Sequence, residues 1–462
     1  MSHGRVHLPL ECFAELSGIT HLSTQEIIAD DSSAPADGVH SGMVLSADAD
    51  EMVAEELVKV AKGVPRTRGA IPIGAGLRHH DLGGRRVLNS KTLPNNIRQN
   101  RSSWVYLCTV EAATSLRVPP VINEVHPETG LLPVTFFLAG DDDLRATRDL
   151  NPDRDLGHFR RGEWSWVVQT FLRLRLAGYP VDLSNTSPEW GIVVFHAKHK
   201  HALARAARGR SGLVFAAIRA DNSSPLLADF EIVQNGRFAD DRRRFSLPFW
   251  PQPGLRPRDL GRGQRVERVG YLGLEENLHP DFRAAAWSRR LTELGFEWLP
   301  RMTRFRDVGH LSLIDWVDYR DLDVILAVRP VESRLRFAKP ANKLINAWRA
   351  GVPALIGPEY AYREIRRSDE DYLEVHGATE AIAALRRLRD EPGLYERMVA
   401  HGHRRAEEFS FDSIVGRWAE LLFDTVPRQL AKGALPWSHR LPIPLRLPFR
   451  RVARIVSATR SR

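Results

Sequence analysis

"KPANKLINAWRAGVPALIGPE" (residues 339–359) is the stretch whose reading decides the fold. Leu344, Ile345, Ala347 and Trp348 recur at helical spacing, and Gly351 and Pro353 then stop the helix. "ALIG" (354–357) is a short apolar run expected as a buried strand, as is "DVILAVR" (323–329) before it. Strand, helix, strand in that order argues for a parallel sheet. Lys343 falls in the first turn of the helix, where the macrodipole already places partial positive charge, and an anion would repair that conflict. Arg329 sits at the carboxyl end of its strand, where open α/β sheets bind ligands. Arg334, Arg336 and Lys339 follow in the loop, and Asn342 opens the helix. Several cations at one helix N-terminus suit a phosphate or diphosphate. The competing reading is that they pair with Glu332 and solvent, as most surface charges do.

The same alternation extends on both sides. Towards the N-terminus, "PVTFFLA" (133–139), "YPVDLS" (179–184), "GIVVFHA" (191–197), "GLVFAAI" (212–218) and "ADFEIVQ" (228–234) read as strands. Helices are expected over 163–178 and 199–207. A proline-rich passage, "LPFWPQPGLRPRD" (247–259), reads as an interdomain linker. After it come "VERVGYLG" (266–273), a helix near 281–294, "FEWLP", a helix carrying Ile314 and Trp316, the opening motif, "DYLEV", and helices near 378–390, 392–408 and 411–423. The expected class is α/β, with two doubly wound Rossmann-like domains over 131–255 and 256–425. An N-terminal region (1–130) of unassigned role and a basic tail (426–462) flank them.

Residues 1–130 offer one capped helix from Asp48 to Gly63, a strand at 104–110 and a Gly-rich loop with His79, His80 and Asp81. That loop reads as a turn and not as a metal site. His196, His199 and His201 have a ligand-like rhythm, but Lys198, Lys200 and Arg205 beside them would oppose a metal's charge, so no metal is expected. Cys12 and Cys108 form no disulfide framework. No signal-like opening or membrane-length apolar run occurs, so a cytoplasmic protein is expected.

The chain of 462 residues carries a formal charge of +9. Nine basic residues and no acid lie from Arg428 onward, which leaves the rest neutral. A neutral body without a basic stripe argues against nucleic acid as a partner. The tail reads either as an adhesive for an anionic membrane surface or as a solvated terminus, and its prolines (Pro436, Pro442, Pro444, Pro448) are expected to forbid a long helix before about Phe449. No Gly-x4-Gly-Lys-Ser/Thr occurs, which disfavours an ATPase or kinase.

"KPANKLINAWRAGVPALIGPE" resembles the donor-binding segment of GT-B glycosyltransferases of the family 4 or group 1 type. "RVGYLG", with Gly270 and Gly273, resembles their first C-domain strand and glycine turn. Residues 380–422 resemble their closing helices, the last of which crosses back to the first domain. The resemblance covers roughly 131–425 and implies transfer of a sugar from a nucleotide-diphosphate donor to an acceptor hydroxyl, with no metal and no cofactor beyond the donor. It implies Arg329, Lys339 and Lys343 as stabilisers of the leaving diphosphate. Gly270, Gly273, Arg336, Asn342 and Asn346 would be donor-binding residues, and Asp221 the candidate acceptor base. The pattern departs at Asn346, where the family carries a glutamate; Glu359 is the candidate substitute. The alternative is a silent scaffold of the same fold that binds a nucleotide sugar or a protein partner.

Overall fold

A computed structural model describes residues 131–140, 143–160, 162–304, 316–330 and 339–460. The expectations at His79, His80, Asp81, Cys12, Cys108, Ile314, Arg334 and Arg336, and for 48–63 and 104–110, fall outside the described residues. Pro120–Ile443 forms one compact unit, and the segment from Pro444 belongs to a second.

Among the described residues the first unit holds two parallel sheets. The first is built from β1 (Val134–Phe137), β2 (Val181–Ser184), β3 (Ile192–His196), β4 (Val214–Ile218), β5 (Phe230–Val233) and β6 (Arg244–Ser246), in the order β2-β1-β3-β4-β5-β6. Every residue of β1, β3 and β4 is buried, as expected of a parallel sheet covered on both faces. A π-turn at Trp164–Val168 runs into α1 (Gln169–Leu176) on one face, and α2 (Lys200–Ala206) follows β3. The second sheet contains β7 (Arg268–Leu274), β8 (Glu297–Thr303), β9 (Val324–Ala327), β10 (Ala354–Ile356) and β11 (Leu373–Glu374), in the order β11-β10-β9-β7-β8. Around it lie α3 (Ala285–Glu293), α4 (Asn342–Ala350), α5 (Tyr360–Ile365), α6 (Ala378–Asp390) and α7 (Leu394–Glu407). Gly351, with φ +68°, closes α4 in the left-handed conformation.

The chain then returns. From α8 (Phe411–Glu420) onward, Ile414, Trp418, Leu421, Leu422 and Val426 join Phe136, Trp166, Phe171 and Trp250 in the core of the first sheet. The Arg173 guanidinium of α1 lies 3.5 Å over the Phe411 ring. The proline-rich passage is tied down more firmly than a flexible linker. Trp250 is fully buried and donates to Thr170 at 2.8 Å. Arg258 and Arg262 both hold the buried Asp323 at 2.7 Å, and the amides of Glu267 and Arg268 donate to the same carboxylate.

The tail corrects one expectation, because α9 (Ile443–Arg460) is a continuous helix through Pro444 and Pro448. Pro444 occupies the first turn, where no amide partner is needed, and the only bond Pro448 removes is the one to the Pro444 carbonyl in that turn. Arg454 and Ile455 of α9 are exposed. No helix among the described residues is long and apolar enough to cross a membrane.

Candidate anion-binding site

The carboxyl edge of the second sheet gathers most of the singled-out residues. Arg329 lies two positions beyond β9, and its guanidinium pairs with the Glu359 carboxylate, the N-cap residue of α5. Both side chains are nearly inaccessible, at 9% and 3% exposure. Arg329 Nε is enclosed and has no well-aligned hydrogen-bonding partner among the described residues, and the buried Tyr362 hydroxyl lies against the same guanidinium. A buried donor left in that state costs on the order of 1–3 kcal/mol, so an acceptor brought by a ligand would bind with advantage.

Lys343 projects from the first turn of α4 into the same region. Its ammonium donates to the Leu272 carbonyl and lies 4.8 Å from the centre of the Tyr271 ring. Gly273 makes room for it. A Cβ at Gly273 would stand 2.6 Å from Lys343 Nζ, and the backbone there has φ +153°. The residue keeps some exposure, but burial of its ammonium, reinforced by the Arg329 and Lys339 cations and opposed by Glu359, lowers its pKa to about 7. Burial also pushes the Tyr271 and Tyr362 phenols up, so both stay neutral donors. The first turn of α4 holds no acid, and its N-cap, Ala341, makes no side-chain cap bond. Asn342 adds an enclosed Oδ1 without a partner among the described residues.

Lys339 and Asp221 join the two sheets. Lys339 pairs with the Asp221 carboxylate, whose other oxygen accepts from Gln234 Nε2 at 2.8 Å. Asp221 follows Ala220, one of two non-glycine residues with positive φ (46°) among the described residues, at the carboxyl end of β4. Such strain concentrates where side chains must be aimed. Asn346 is 8% exposed, and its Oδ1 accepts the Gln252 amide at 3.1 Å, so this oxygen secures the connecting passage. Gly270 sits inside β7, where a Cβ would meet Leu322 at 2.6 Å; its absence of side chain serves packing between β7 and its neighbours.

Near the carboxyl edge of the first sheet, burial lowers the pKa of His196 to about 4, and its Nδ1 accepts from the Lys198 amide at 3.3 Å. Lys198 pairs with Glu163 at 3.1 Å, and His199 accepts from Ala139. His201 is exposed. Among the described residues, no group of three His, Cys, Asp or Glu is placed to hold a metal ion.

Sequence reasoning missed Tyr271, Tyr362 and Gln234. Only Tyr271 left a signal, between Gly270 and Gly273. The assembled chemistry is that of an anion cradle: two enclosed cations, neutral phenols, a helix N-terminus, and a third cation held by a carboxylate of the first sheet.

No family model and no curated protein matches the sequence. Among solved structures, HepE from Anabaena, in complex with UDP and glucose, is similar at 10% identity over 63% of this chain and 99% of its own, with a TM-score of 0.38. AviGT4, a glycosyltransferase involved in avilamycin A biosynthesis, is similar at 15% identity over 65% and 98%, with a TM-score of 0.38. Sucrose-phosphate synthase from Thermosynechococcus elongatus is similar at 13% identity over 65% and 100%, with a TM-score of 0.40. Similarity of this degree transfers neither residue roles nor substrates.

Proposed function

We propose that this chain transfers a sugar from a nucleotide-diphosphate donor to an acceptor hydroxyl. The observation that carries the reading is the enclosed Arg329 and Lys343 pair at the N-terminus of α4, with Arg329 Nε unpartnered among the described residues. Such a cradle stabilises a diphosphate more as its leaving-group charge grows, which is electrostatic catalysis by preorganised donors. The bond from the sugar's anomeric carbon to the phosphate oxygen breaks, the acceptor oxygen bonds to that carbon, and the acceptor proton leaves to a base. Asp221 is the candidate for that base, because it is the first-sheet carboxylate that reaches the cations. The charge stabilisation proposed here comes from protein cations.

Lys339→Ala and Lys343→Ala should each weaken UDP or GDP binding by about 1–3 kcal/mol, the scale of a lost charge-assisted contact. Uridine and guanosine should be indifferent to both changes. Lys432→Ala, an exposed cation far along the chain, is the control by titration calorimetry. Equal weakening by all three substitutions would make the effect general electrostatics and remove the site. The second reading, donor binding without turnover, is favoured by Asn346 standing where a carboxylate would assist the diol and spending its Oδ1 on Gln252. Release of UDP or GDP from a nucleotide sugar under multiple-turnover conditions decides between the two.

We also propose that α9 brings the protein to an anionic membrane, on the exposed Arg454 and Ile455 of a helix without acids. Arg454→Glu combined with Ile455→Ser should abolish sedimentation with phosphatidylserine vesicles; unchanged sedimentation removes the idea.

A further inference from the structure

Lys339, the outermost cation of the cradle, already carries a counter-ion that comes from the other sheet. Asp221 presents one oxygen to Lys339 while Gln234 fixes the second at 2.8 Å. The surrounding contacts support the same approach. Asn235 caps the turn at Gly236–Phe238, the Gly236 amide donates to Glu364 of α5 at 2.9 Å, and the Arg237 guanidinium lies 5.9 Å from the Tyr360 ring centre. This strap therefore bears on α5, the helix whose N-cap Glu359 holds Arg329.

We propose that Asp221 is an intramolecular stand-in for a ligand phosphate: it neutralises Lys339 in the unliganded protein, and a diphosphate engages Lys339 only by displacing it. The inference rests on the anion-cradle reading given above. Three observations carry it. A carboxylate occupies the one cation of the trio that faces the first sheet. A second hydrogen bond, from Gln234, holds that carboxylate in place just after Ala220, whose φ is positive. The pair is also partly exposed, at 19% and 38%, so water screens it and its strength stays within reach of a competing dianion. Displacement also has a chemical consequence. When Lys339 turns to the diphosphate, the Asp221 carboxylate is released beside the ligand, where it can accept a proton from an incoming hydroxyl. The proton acceptor thus becomes available only after the donor has bound.

The test is calorimetric titration of inorganic pyrophosphate and UDP into the full chain. Asp221→Asn keeps an oxygen for Gln234 but removes the competing charge, and should tighten pyrophosphate binding by about two- to fivefold, the range a partly exposed ion pair supports. Glu293→Gln, an exposed acid paired with Arg290 on α3, removes the same net charge and should leave affinity unchanged. Placing Asp221→Asn on a Lys339→Ala background should abolish the gain, because the pair is then already broken. Unchanged or weaker pyrophosphate binding by Asp221→Asn, with the wild type binding normally, overturns the stand-in role alone. An equal gain from Glu293→Gln overturns it too, by showing general electrostatics. Absence of pyrophosphate and UDP binding to every variant overturns the cradle and this inference with it.

Discussion

Arg329→Ala is expected to destabilise the fold by about 3–5 kcal/mol, the cost of removing one member of a buried ion pair. The size follows from where the remaining charge lies. Glu359 is 3% exposed at the start of α5, and the substitution removes the guanidinium that balances it. Arg329→Ala with Glu359→Gln should recover most of the loss, because a neutral amide is cheaper to bury than a carboxylate. Urea unfolding of the two variants and the wild type measures both effects. If the single variant unfolds at the wild-type midpoint with the same slope, the pair contributes nothing and Arg329 is held in place by something else. Neither variant should bind UDP well, which separates the structural use of Glu359 from the ligand-directed use of Arg329.

The second large effect is on pH dependence. Burial and its cationic neighbours lower Lys343 to about pKa 7 in the unliganded protein. A bound diphosphate favours the ammonium and raises that value, so binding takes up a proton in the window from pH 7 to the raised pKa. Affinity for UDP should therefore be highest near pH 7 and fall as pH rises towards 9, by up to tenfold per unit. The ligand's own phosphate ionisation, near pH ~6, is complete over this range and does not contribute. Lys343→Arg cannot deprotonate and should show no such decline. Calorimetry in buffers of different ionisation enthalpy would report the proton uptake directly. A decline of equal slope in the Lys343→Arg protein assigns the titration to another group.

Legibility in the sequence followed the strength of local signals. The motif at 339–359 folds as its punctuation says, with α4 beginning at Asn342 and ending at Gly351 in the left-handed conformation that glycine favours. The strands that are buried on both faces, β1, β3 and β4, were plain apolar runs. By contrast, β6 is three residues long, reads Arg-Phe-Ser, and has only one buried position, so no pattern announces it. Helix α5 is six residues long and carries no cap signal. In the site, Lys343 was readable because a cation at a helix N-terminus is a local contradiction. The pairing of Lys339 across the sheets was not, since Asp221 and Lys339 lie 118 positions apart. The bond from Gln252 to Asn346 is equally non-local. Such contacts depend on how two sheets meet, which hydrophobic periodicity does not encode.

The returning helix has a consequence for how the protein is made. The core of the first sheet is finished by Ile414, Trp418, Leu421, Leu422 and Val426, all synthesised after the whole second sheet. At ~5–20 residues per second, the interval between Trp250 and Ile414 lasts roughly 10–30 s, long compared with local collapse. During that time the face of α1 and of the turn before it that later meets α8, with Trp166 and Phe171, lacks the cover that Trp418 and its neighbours supply. The early half of the nascent chain therefore waits, with an aromatic surface available to chaperones or to other chains, while the later half reaches its own fold. Completion passes backwards along the chain: α8, translated after the second sheet, closes the core of the sheet translated before it.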